Sequence, residues 1–167
     1  MGAKVHDILR EAQVSSSAAA KTAINPENVW KPEDYFNIYL QPGMEKTPAE
    51  HAGWAQGARK GPFVFISGQT PTLPDGTTIS KDMHGQLRQA LVNFRNVVAA
   101  EGGSLEDVVQ IRYYFNAGYM EEGLAALRDI GAEFWSYPFP STTCVEVVRV
   151  AWADHLLEIE GMAILDD

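Results

Sequence analysis

The sequence predicts an α+β fold, one sheet with two helices packed on one of its faces. Three observations lead there. Two segments repeat apolar residues at helical spacing, and several shorter ones alternate or cluster them as strands do. The two kinds of segment interleave along the chain, and each helix carries a single apolar stripe that a sheet would cover. With 167 residues and 46% hydrophobic side chains, the chain can bury one substantial core, and its length suits one domain with an extension.

Residues 1–48 read as an N-terminal arm and 49–167 as the domain. The arm holds a short possible helix (Val5 to Ala12), a run of small residues and an aromatic segment broken by Pro26, Pro32 and Pro42. Proline at that density suits an extended path. Trp30, Tyr35, Phe36, Tyr39 and Leu40 are too apolar for a free tail, so the arm is expected to drape over the body or a neighbouring subunit.

In the domain, PFVFISG reads as a strand stopped by Gly68, and Asp75-Gly76 in LPDGTT reads as a tight turn between short extended pieces. The first helix follows, with Leu87, Leu91, Phe94 and Val98 on one stripe and Gln86, Arg88, Asn93 and Arg95 elsewhere on the wheel. Asp82 can cap its start and Gly102-Gly103 ends it. DVVQIRYYF alternates Val109, Ile111, Tyr113 and Phe115 against a mixed face. A second helix runs from about Met120 to Trp135 on Leu124, Leu127, Ile130 and Phe134, and TTCVEVVRV and LLEIEGMAIL are the last strands. The expected order is strand, strand, helix, strand, helix, strand, strand. The sheet face without helices still carries apolar side chains, which predicts a homo-oligomer.

Composition narrows the function. There are 13 Lys+Arg against 22 Asp+Glu, a formal charge of −9 with no basic run, which argues against nucleic acid. No stretch approaches the roughly 18 apolar residues of a membrane span. The lone Cys144 and the charged N-terminus without a signal-length apolar run point to the cytoplasm. His6, His51, His84 and His155 show no metal-ligand spacing, so no metal is expected.

Several polar residues stand where chemistry is possible. Glu158 and Glu160 are two apart on a strand and share a face, while Leu157 and Ile159 turn to the core. They are either a solvated pair or a carboxylate with a raised pKa, poised as acid and base. Cys144 has no histidine beside it and reads as a small buried group more readily than a nucleophile. Glu146 reads as an exposed strand residue and Ser67 as a strand-end hydroxyl.

From Ala52 to Ile164 the chain resembles the RidA/YjgF family, in AGWAQGARKGPFVFISGQTP, QLRQALVNFRNVVAAEGGSLEDVVQIRYYF, STTCVEVVRV and LEIEGMAIL. The resemblance implies the chorismate-mutase-like (YjgF-like) sheet, a homotrimer with a central barrel, clefts between subunits, and cofactor-free hydrolysis of reactive enamines and imines. Matched residue by residue, it implies Glu158 as the acid that positions the attacking water, with Ser67 beside it. It also implies Trp54 where the family has tyrosine, Cys144 as a site-lining backbone position, and Thr142 and Thr143 beside it. The family reads Arg-Ser-Cys where this chain reads Thr142-Thr143-Cys144, so the arginine that grips the substrate carboxylate is a threonine here. A hydrogen bond to a charged group is worth roughly 1.5–3 kcal/mol against about 1 for a neutral one. Either Arg128, near the family's second-helix asparagine, supplies that charge (Arg149 and Arg59 being weaker candidates), or the substrate has no carboxylate.

The expected function is hydrolytic deamination of a small, atypical enamine or imine, with no cofactor and a small molecule as the only partner besides other copies of the chain. A non-catalytic metabolite-binding or partner-stabilising module is the rival, and another hydrolase on the same scaffold is a third reading.

Overall fold

The computed structural model of the protein describes residues 20–30 and 54–166. The expected helix Val5 to Ala12, the aromatic residues Tyr35, Phe36, Tyr39 and Leu40, and His6 and His51 lie outside the described residues.

The strands are β1 (Thr22–Ile24), β2 (Gly57–Lys60), β3 (Phe63–Gln69), β4 (Val108–Asn116), β5 (Ser141–Val147) and β6 (Leu157–Ile164). The helices are α1 (Met83–Ala99) and α2 (Met120–Ile130), with single 3-10 turns at Leu105–Asp107 and Gly131–Glu133. One mixed sheet runs in the order β1-β2-β3-β6-β4-β5. All neighbours are antiparallel except β4 and β5, which are parallel and joined through α2. The α+β class with two helices on one face is therefore correct.

Alternation along β3, β4 and β6 decides what the helices cover. Val64, Ile66, Ile111, Tyr113, Phe115, Leu157, Ile159 and Ala163 turn to the helices, and Leu87, Ala90, Leu91, Phe94, Val97 and Val98 of α1 complete the core. The stripe Leu87, Leu91, Phe94 and Val98 is wholly buried. The Asp82 carboxylate accepts from the Gly85 amide at 2.8 Å and caps α1. Past its end, Gly102 takes φ +83° and the Gly103 amide reaches back to the Val98 carbonyl.

Several local expectations shift. The partner strand of PFVFISG precedes it: β2 and β3 form a hairpin, with Lys60 opposite Phe63 and Gly61 at φ +58° in the turn. Asp75-Gly76 turns a loop closed by an isolated Thr72–Thr78 bridge and by the Leu73 amide's bond to the Thr77 carbonyl, not a strand pair. A bulge between Val108 and Gln110 resets the alternation of β4, so that Val108 is buried and Val109 exposed. Helix α2 stops at Ile130 and tightens into a 3-10 turn, so the helical stretch expected to reach Trp135 is shorter. Gly123, Ala126 and Ile130 face inward there, while Leu124 lies on the exposed side.

The largest shift concerns residues 20–30, read as part of an arm. Thr22–Ile24 adds a strand to β2, and Ile24, Val29 and Trp30 are buried in the core, Trp30 to 1% exposure. The Asn25 side chain accepts from the Gln56 amide at 3.0 Å, and the Gln56 side chain donates to the Trp30 carbonyl at 2.5 Å. Within the described residues, then, the body of the fold begins well before residue 49.

The sheet face away from the helices carries Phe63, Phe65, Met162 and Ile164 beside Ser67, Arg112, Tyr114 and Glu160. Phe65 is 52% and Phe63 44% exposed there. Arg112 and Tyr114 both donate to Glu160, at 2.9 and 2.7 Å.

Candidate functional site

The two acids of β6 part company. Glu160 is held by Arg112 and Tyr114 on the open sheet face. Glu158, at the start of the strand, points into a cavity of about 210 Å³ lined by Trp30, Trp54, Gly68, Thr70, Ala151, Trp152 and itself. Burial pushes its pKa above the usual carboxylate range. A hydrogen bond from the Ala151 backbone opposes this, and the charge of Glu160 adds to it.

Room for that carboxylate comes from Gly68. A Cβ there would overlap Glu158 Oε1, so the glycine read as a strand stop also leaves a space that only a hydrogen can share with the acid. The register shift between Ile66 and Gln69 places Gly68 opposite the start of β6.

Two loops wall the cavity, and α1 fixes both. Gln86 and Asn93, placed away from the apolar stripe by the periodicity, are fully buried. Asn93 donates to the carbonyls of Thr70 and Thr72 at 3.0 and 2.8 Å. Gln86 donates to the carbonyls of Ser80 and Asp154 and accepts from the Leu156 amide at 2.7 Å. Asn116 completes the latch, donating to the His155 carbonyl and accepting from the Val150 amide. A buried side-chain amide that is fully engaged rigidifies what it holds.

The tryptophans meet because distant segments converge. Trp30 lies 5.2 Å from Trp54 and 5.9 Å from Trp152, centroid to centroid, with interplanar angles of 57° and 79°. Trp152 also packs on His155, 5.3 Å away. His155 is 1% exposed, with Nε2 near the hydroxyls of Thr78 and Thr72, at 3.2 and 3.4 Å. Burial lowers its pKa, which the nearby Asp154 partly counters, so the ring is neutral near pH 7.

Of the residues singled out in the sequence, Glu158 and Trp54 share this cavity. Ser67 lines the adjoining depression of about 590 Å³ with Lys21, Asn25, Trp54 and Phe65. Its hydroxyl donates to the Ala55 carbonyl at 2.7 Å, which leaves its oxygen able to accept. Thr142, Thr143 and Cys144 lie on β5, separated from β6 by β4, and line neither space. Thr142 donates to the Pro140 carbonyl, and Cys144 packs against the core with its thiol pKa raised by burial. Arg128 stands on α2 with a 77% exposed side chain near Asp129, and lines neither space. Within one copy of the chain, therefore, Arg128 does not stand beside Glu158. Trp30, Trp152, Ala151 and Thr70 line the cavity without a sequence motif to mark them. The local sign is a lone tryptophan in each of NPENVWKPED and VAWADH.

An antiparallel and parallel mixed sheet, two helices on one face and a half-buried acid at the start of the last strand define a small α+β protein with a compact acid-bearing site. The family model described as Endoribonuclease L-PSP matches residues 44–165. A RutC family protein of Pyrococcus horikoshii is 32% identical over 120 residues, 71% of this chain and 92% of that protein. A 2-iminobutanoate/2-iminopropanoate deaminase of Salmonella typhimurium is 29% identical over 126 residues, 72% of this chain and 93% of the relative. Among solved structures, RidA from an Antarctic Psychrobacter superposes with a TM-score of 0.66 at 22% identity, covering 86% of this chain and 99% of the other. E. coli TdcF with bound serine superposes with a TM-score of 0.65 at 24% identity, covering 87% and 99%. The chain belongs to the RidA/YjgF (L-PSP) family.

Among the described residues no helix is long and apolar enough to cross a membrane.

Proposed function

We propose that the protein is a hydrolytic deaminase of a small reactive enamine or imine, working without a cofactor. The observation that carries this is Glu158: a carboxylate with a raised pKa, in a small, mostly apolar cavity, over a glycine that leaves it room. Relatives named as deaminases support the same chemistry.

In the reaction an imine and one water give the corresponding carbonyl compound and ammonia. Glu158 accepts a proton from water as its oxygen bonds to the imine carbon. It then returns that proton to nitrogen, giving the carbinolamine, and next moves the hydroxyl proton from oxygen to nitrogen as the C–N bond breaks and the carbonyl forms. A carboxylate whose pKa lies nearer neutrality does both halves better than an ordinary one. The Ser67 oxygen is free to accept from a substrate N–H.

In this reading three copies assemble in the cytoplasm through the open sheet face. The β5 segment Thr142-Thr143-Cys144 of one copy then borders the Glu158 cavity of the next. Exposed Phe63 and Phe65 on that face support the assembly.

The test is ammonia release from imines generated in situ, starting with 2-iminopropanoate and extending to imines without a carboxylate. Release above buffer that disappears in Glu158→Gln is the expected result. A panel of anionic, neutral and cationic imines all hydrolysed at the buffer rate would defeat the reading.

Thr142 favours a second reading. With the family's arginine position occupied by a threonine bonded to Pro140, the fold serves as a metabolite-binding module. Thermal stabilisation by a ligand without turnover of any imine distinguishes it.

A further inference from the structure

The cavity around Glu158 is unusual in what lines it. Among the described residues, three indoles, a glycine, a threonine, an alanine and one carboxylate line it, and no lysine or arginine does. Trp54 and Trp152 are turned 57° and 79° from Trp30, and all three indoles border the same small space. A cation over an indole face, within about 6 Å of the ring centroid, is attracted by the ring quadrupole, and more strongly where water is excluded.

We propose that this cavity selects an organic cation, an iminium or ammonium group on an apolar or aromatic frame, rather than a carboxylate-bearing substrate. The proposal rests on the reading of the Glu158 cavity as the substrate site. An anion entering it would meet a carboxylate and three electron-rich indoles. A cation meets a counter-charge at one end and quadrupoles around the rest. The formal charge of −9 draws cations toward the molecule as a whole. The choice also suits the chemistry, because the protonated imine is the form that water attacks. Stabilising the iminium raises the fraction present as electrophile. A protonated imine and one water then give the carbonyl compound and ammonium, with Glu158 carrying both water protons in turn from oxygen to nitrogen. The positive charge passes from the iminium to the departing ammonium, so no other co-reactant is needed. Among the described residues Lys21 is a competing feature, on the adjoining depression with Ser67 and Trp54, where it would favour an anion instead.

Three probes of one shape separate these possibilities: benzylammonium, benzyl alcohol and benzoate, titrated calorimetrically into the full-length protein. Benzylammonium is expected to bind about tenfold tighter than benzyl alcohol, the scale of a desolvated cation–π contact, and benzoate not measurably. Trp152→Leu should lower benzylammonium affinity about tenfold, while Trp152→Phe keeps most of it. Equal binding of the alcohol would make the cavity merely apolar. Benzoate binding that is lost in Lys21→Gln would make Lys21 the anchor of an anion, and binding of none of the three would leave the cavity without a ligand. Any of these overturns the proposal, and the wild-type comparison decides it even if Trp152→Leu does not fold. Ammonia release is read separately, so cation binding without turnover would remove the deaminase reading and leave the selectivity standing.

Discussion

At the scale of single residues, Glu158 and Gly68 form one unit, an acid and the space it needs. Replacing Glu158 by Gln keeps the shape and removes the proton carrier, and should lower kcat by roughly 10²–10⁴ in the ammonia-release assay. Its effect on stability follows from the direction of the pKa shift. Burial raises the folded-state pKa above the ordinary value of 4.5, so the folded state favours the protonated acid. The stability tied to that proton is fully present below the unfolded-state pKa and is lost as pH rises through the folded one. Wild type should therefore lose stability relative to Glu158→Gln on going from about pH 4 to about pH 8, as followed by paired thermal melts. A difference independent of pH would mean the acid is not desolvated. Gly68→Ala tests the other half. The new methyl meets the far end of a flexible side chain, so the acid moves aside at little cost to the fold. The expected signature is a large fall in kcat/KM with a melting temperature close to wild type, and retention of both would show that the acid does not need that space.

At the scale of elements, α1 both roofs the core and pins the loops of the site, so its own ends matter to function. The Asp82 cap is exposed, and its pKa is lowered by the hydrogen bond from the Gly85 amide. Asp82→Ala should cost about 1 kcal/mol, lowering the melting temperature by about 2–4 °C for a chain of this size. Because Gln86 lies one turn from the cap and holds the loop bearing Trp152, the same variant should weaken protection of the Asp154 to Leu156 amides in hydrogen exchange. Unchanged protection would separate the helix start from the site. The element scale is also where sequence reading was strongest. The stripe Leu87, Leu91, Phe94 and Val98, the cap at Asp82 and the alternation of Leu157 and Ile159 are local patterns, and each lies where its period puts it. The β4 bulge defeated the same logic, because an extra residue shifts the period of two and nothing nearby marks it.

At the scale of the whole molecule, the open sheet face is the uncovered half of the architecture. It combines exposed Phe63, Phe65, Ile164 and Val145 with the Arg112–Tyr114–Glu160 network, an apolar surface with a polar centre. Under the proposed function it joins three copies, and light scattering should give a mass of three chains. Phe65→Glu should release monomers with unchanged far-ultraviolet circular dichroism, since the side chain contributes nothing to the buried core. Its activity should fall with assembly, because the site borrows β5 from a neighbour. A wild-type monomer, or an active Phe65→Glu monomer, would remove the trimer from the mechanism.

The sequence alone determined what is periodic or local: the helices, the cap, most strands, the core stripe, the acid pair on β6 and the motifs that carry the family resemblance. Only the tertiary structure decided which acid is buried, that residues 20–30 complete the sheet, and that Trp30, Trp54 and Trp152 gather around Glu158. It alone placed Gln86 and Asn93 inside. The reason is range. A hydrophobic period reports which side of an element faces inward, but the bond from Leu156 to Gln86 spans 70 positions. Such a pairing leaves no mark on the residues around either end until the chain has folded.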